Sequence, residues 1–103
     1  MVVVFAEPAE RDLANIIDYI ALDNPTAAER VYRAVVSTAG RLGHFPEMGR
    51  PGRLSGTREF SVSSLPYLMV YAVGADVVTI VAVFHTSRDL ARAFAERKSE
   101  PGM

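Results

Sequence analysis

At 103 residues, half of them hydrophobic, the chain has room for one domain with a real core and not for two. Without cysteine it has neither a disulfide framework nor thiolate chemistry, and a net charge of −1 selects no nucleic acid or membrane as partner. Charge is uneven along the chain: three basic against six acidic residues up to position 40, then eight against six, densest at Arg50, Arg53 and Arg58. Met1 precedes an apolar tetrapeptide with no basic leader, and no apolar run approaches the ~20 residues that span a bilayer, so a cytoplasmic protein is expected.

Val2 to Phe5 reads as a short buried strand. Glu7-Pro8 opens a helix, because proline in the first turn gives up no needed hydrogen bond and Glu7, Glu10 and Asp12 suit the positive end of the dipole. Leu13, Ile16, Ile17 and Ile20 form one apolar stripe, with Asn15 and Asp18 turned away, and the helix should end near Leu22-Asp23. Asn24-Pro25 starts a second helix whose stripe is Ala28, Val31, Val35, Ala39 and Leu42, ended by Gly43 and Pro46. So short a connection predicts an antiparallel helical hairpin. Phe45 to Arg53, with two Pro and two Gly, reads wholly as loop.

Thr57 to Ser64 alternates as a half-exposed strand, with Phe60 and Val62 interleaved by Glu59, Ser61 and Ser63. Tyr67–Val73 and Val77–Phe84 are apolar, β-branched and aromatic, joined by Gly74-Ala75-Asp76 as a hairpin. Pairing Val73 with Val77 puts Tyr71 opposite Thr79, Met69 opposite Val81 and Tyr67 opposite Val83, with His85 closing that mixed face. The other face, Leu68, Val70, Ala72, Val78, Ile80, Ala82 and Phe84, should take the helices. The face of Tyr67, Met69 and Tyr71 should then lack cover. A capping box at Thr86 and Asp89 predicts a last short helix bearing Leu90, Ala93 and Phe94, and residues 99–103 should be a loose tail after a single domain over 1–98. The order β-α-α-β-β-β-α implies an α+β fold, its helical hairpin packed on one face of a small, mainly antiparallel sheet of four strands.

Chemistry is sparse. The glycine-rich loop lacks a phosphate-cradle pattern, and two distant histidines without cysteine do not suggest a metal. His85, near Arg88 and within possible reach of Arg58, could act with Glu47 as a base on a ribose 2′-hydroxyl while arginines hold the phosphate. A His bonded to the start of the last helix explains the same residue more simply, because no second general acid is evident. Arg50, Arg53 and Arg58 read either as a solvated loop with ion pairs to Glu47 and Glu59 or as contacts to an acidic partner.

In order and spacing, several segments resemble the ParE branch of the RelE/ParE superfamily of toxins from bacterial toxin–antitoxin pairs. They are Ala9 to Ile20, Asn24-Pro25, Phe45 to Gly52, Gly56 to Glu59, Pro66-Tyr67 with Val70-Tyr71, and His85 to Asp89, together covering residues 3–95. The resemblance implies a toxin that uses no cofactor or metal, is neutralised by a ParD-like antitoxin and acts by inhibiting DNA gyrase without catalysis. The antitoxin would cover Tyr67, Met69, Tyr71, Leu90 and Phe94, and Arg50, Arg53, Arg58 and Arg88 would meet the target or partner. Two alternatives stay open: a RelE-like ribosome-dependent mRNA interferase built on His85, Arg58, Glu47 and Arg88, and a non-toxic interaction domain. Thr86 stands where some of the nucleases carry Tyr, and no Tyr follows Tyr71.

Overall fold

The computed structural model describes residues 1–98, so the tail expected at 99–103 lies outside the described residues. Strand β1 (Val2–Phe5) leads into helix α1 (Glu7–Ala21), and α2 (Pro25–His44) follows. Pro8 sits in the first turn of α1, and Asn24 caps α2 by accepting the Ala27 N–H at 3.0 Å, as the sequence predicts. Strands β2 (Arg50–Pro51), β3 (Arg58–Ser61), β4 (Tyr67–Val73) and β5 (Val77–His85) precede α3 (Leu90–Lys98). The sheet runs β1-β5-β4-β3-β2, antiparallel except for the β1–β5 pair. It has five strands and not four, because Arg50 and Pro51 leave the expected loop to pair with Glu59 and Arg58.

The face assignment from sequence is reversed along β4. Tyr67, Met69 and Tyr71 lie beneath the helical hairpin, in one cluster with Leu13, Val31, Val35 and Leu42. Leu68 and Val70 face the other way, in a second cluster with Ala93 and Phe94 of α3. Two register differences produce the reversal. The hairpin closes with Val73 opposite Val78, and Val81 is an extra residue between the pairs Tyr71–Ile80 and Val70–Ala82. That β-bulge inserts one unpaired residue and breaks the alternation. Val78 and Ile80 therefore pack under the hairpin as expected, whereas Ala82 and Phe84 cross to the α3 side.

Two smaller expectations also change. Asp89, and not Thr86, caps the last helix: its carboxylate accepts the Arg92 N–H at 3.2 Å and its carbonyl the Ala93 N–H at 2.9 Å. Strand β3 is shorter than the alternating stretch, and Glu59, read as outward, is buried.

Strand β5 outruns its neighbour, since the β1 pairing stops at Phe5–Ile80. Side chains close the edge beyond that point. Arg97 donates to the Val81 carbonyl at 2.7 Å and to Asp12 at 2.6 Å, and the other Asp12 oxygen accepts the Val83 N–H at 2.9 Å. An ion pair joining α1 to α3 thus meets backbone groups that an additional strand would otherwise take.

Candidate functional site

Two ends of β4 carry the residues singled out from sequence. At the Tyr71 end, the sheet grips the loop after α2. The Tyr71 hydroxyl donates to the Pro46 carbonyl at 2.7 Å and accepts the Gly49 N–H at 2.9 Å. Arg58, directly opposite Tyr71 on β3, donates to the Gly49 carbonyl at 2.6 Å. A Cβ on Gly49 would lie 2.6 Å from that hydroxyl and 2.7 Å from the Glu59 carbonyl, so the close approach requires glycine. Arg41 adds a contact from α2, 3.9 Å from the Met48 sulfur and over the Phe60 ring.

On the opposite face of β3, the buried Glu59 carboxylate accepts from the Arg50 guanidinium at 3.1 Å and from the Arg53 N–H at 2.8 Å. Of the ion pairs offered from sequence, those of Arg50 and Arg53 with Glu59 form, with their acid in the interior and not in solvent, whereas Arg58 bonds the backbone carbonyls of Glu47 and Gly49. The Arg53 guanidinium lies 4.9 Å over Phe94. Arg50 and Arg53 remain substantially exposed at their tips, so a buried acid positions two accessible cations.

At the Tyr67 end, His85 pairs across the ladder with Tyr67, ring edge to ring face at 5.2 Å. Its Nδ1 faces the Ser87 N–H at 3.0 Å and the Ser87 hydroxyl at 2.6 Å, a local bond at the approach to α3. Arg88 lies over Phe84 at 5.4 Å and reaches Glu96 at 4.0 Å. Burial raises the pKa of the Tyr67 phenol above its ordinary value.

The structure brings Glu47 and Arg58 together at one end and His85 and Arg88 at the other. Arg58 sits beside Tyr71 and His85 beside Tyr67, four positions along β4, about 13 Å at the rise of an extended strand. Of the residues expected to meet the antitoxin, Tyr67, Met69 and Tyr71 are internal core, Phe94 is buried against Phe84, and Leu90 is half-exposed. Sequence reasoning missed Phe45, which is 65% exposed beside the gripped loop, and the Asp12–Arg97 pair, whose members stand 85 residues apart. An aromatic at a helix end flanked by Pro was the available signal for the first; no local signal exists for the second. Among the described residues, no group of three His, Cys, Asp or Glu could hold a metal ion, and no helix is long and apolar enough to cross a membrane.

The family model described as ParE toxin of type II toxin-antitoxin system, parDE, matches residues 3–90. Y4kP of Sinorhizobium fredii, named as a toxin, is 39% identical over 77 residues, covering 75% of this chain and 79% of its own. Toxin RelE2 of Caulobacter vibrioides is 36% identical over 86 residues, covering 84% and 96%. Among solved structures, the chain is similar in fold to one from the chromosomal ParDE system of P. aeruginosa, with a TM-score of 0.74 at 20% identity, covering 82% and 95%.

Proposed function

From the premise that this chain belongs to the ParE toxin family of type II toxin–antitoxin systems, we propose that it is held inactive in the cytoplasm by a ParD-like antitoxin and, when released, inhibits DNA gyrase without catalysis. The separation of Glu47 and Arg58 from His85 and Arg88 carries the non-catalytic part of this reading. In-line cleavage of RNA needs a base and phosphate-holding cations around one ribose, within hydrogen-bond reach of the reacting atoms. Here the base candidate on β5 and Arg58 on β3 lie on opposite sides of β4 and are offset by about 13 Å along it. Arg50 and Arg53, propped on Glu59, are the cations best placed for an acidic partner.

The burial of Tyr67, Met69 and Tyr71 moves the proposed antitoxin contact to the helical hairpin. An apolar groove of about 460 Å³ runs between α1 and α2, floored by Phe5, Leu13 and Ile17 and walled by Tyr32 and Val36. Glu10 and Asp18 on its rim would favour an apolar segment with basic flanks.

Expression without the antitoxin should arrest growth with DNA-damage signalling and filamentation, and the purified chain should inhibit supercoiling by gyrase. The interferase reading replaces this one if transcripts are instead cut at ribosomes within minutes and His85→Ala abolishes the cutting.

A further inference from the structure

The loop gripped by Tyr71 and Arg58 does one thing that the fold does not need: it holds Phe45 in solvent. The ring is 65% exposed, and its nearest aromatic neighbour is His44, 6.4 Å away and tilted. The backbone beneath it is fixed. The Phe45 N–H bonds to the Arg41 carbonyl at 2.8 Å and the Met48 N–H to the Phe45 carbonyl at 3.0 Å, while Tyr71 and Arg58 hold Pro46 and Gly49. An exposed aromatic on an ordered backbone has already lost most of the freedom that binding would remove.

The surroundings define what would bind. An apolar groove of about 590 Å³ is lined by Phe45, Pro46, Met48 and Val73, with His44 and Glu47 on its rim. Val73, itself 40% exposed, is also a wall of a second, more polar cleft of about 280 Å³ lined by Pro51, Thr57 and Arg58. An apolar recess and an arginine-lined recess therefore share one wall, and Arg41 adds positive charge from the α2 side.

We infer that this end of the sheet, with Phe45 as anchor and Arg58 as its charged neighbour, is the surface by which the toxin grips a protein target. The target segment presents an apolar side chain beside a carboxylate. The apolar character of the larger recess favours protein over the phosphates of a nucleic acid. This inference rests on the toxin reading and names the surface that carries it.

The test expresses the full chain without antitoxin and compares wild type, Phe45→Ala, Phe45→Tyr and Val73→Ser for growth arrest. Each variant is also co-purified with the antitoxin, and its melting temperature is measured. Surviving colonies should rise roughly tenfold or more for Phe45→Ala, as expected when a hot-spot side chain is lost, and more modestly for Val73→Ser. Phe45→Tyr should retain arrest. All variants should bind the antitoxin and melt within about 2 °C of wild type, since Phe45 caps α2 through its backbone N–H alone and the side chains of both positions are exposed. Three results would overturn the inference: unchanged arrest in both Phe45→Ala and Val73→Ser, loss of antitoxin binding along with arrest, or a drop in melting temperature that explains the lost arrest. If wild type causes no arrest, the toxin reading itself fails and takes this surface with it.

Discussion

Beneath the helical hairpin, Met69, Tyr71, Val78 and Ile80 are fully buried against apolar stripes from two helices, 15 and 20 residues long. The opposite face is closed by one helix of nine residues, and arginine completes its cover. Arg97 and Arg88 lie over Phe84, Arg53 lies over Phe94, and Arg97 also closes the β5 edge with Asp12. The first face gains its stability from area, at roughly 25 cal/mol per Å² of apolar surface removed from water. On the second, long side chains lend their stems and planes to a core that is too small alone.

The largest effect should follow from breaking the charged closure. Arg97→Ala should cost about 3–5 kcal/mol in urea unfolding, because it leaves Asp12 without its buried partner. Adding Asp12→Ala should cost much less than a second independent loss, and full additivity would show that the two residues act separately. On the hairpin face, Ile80→Ala should cost about 2–5 kcal/mol by transfer and cavity terms alone. Little change in its unfolding midpoint would mean that the area argument fails there. The finest probe is Tyr71→Phe, which keeps the ring and deletes the one hydroxyl that ties the apolar face to the loop. About 1–3 kcal/mol should be lost with the two hydrogen bonds, together with faster amide exchange at Gly49. Unchanged exchange there would assign the grip to Arg58 alone.

The elements themselves were largely legible. Pro8, Asn24-Pro25 and the stripes of α1 and α2 are local signals, and the β4–β5 hairpin carries its own turn. What escaped depends on contacts between distant residues. The hairpin register, with Val73 opposite Val78, exchanges the two faces of β4, and the bulge at Val81, which leaves no mark in a run of β-branched residues, sends Ala82 and Phe84 across to join Leu68 and Val70. Glu59 alternates with apolar neighbours as a solvent-facing residue would, and only the placement of Arg50 and Arg53 above it makes the interior habitable for a carboxylate. Strand β2 is two residues long and contains proline, below what any periodicity can register. In the candidate site, the arginine cluster was visible as composition. Its division between the two ends of β4 was not, because the register decides which residues become neighbours.

The extra residue in β5 also bears on how this gene can change. Val78 and Ile80 before the bulge and Ala82 and Phe84 after it belong to different cores, separated by a single unpaired residue. Loss of the codon for Val81 would restore strict alternation while leaving Ile80, Ala82, Val83 and Phe84 on the faces they hold now, because Val81 is the residue that the β4–β5 ladder leaves unpaired. What the deletion would remove is the Val81 carbonyl that accepts from Arg97, so the extra residue serves the closure of the β5 edge and not the inside–outside pattern of the strand.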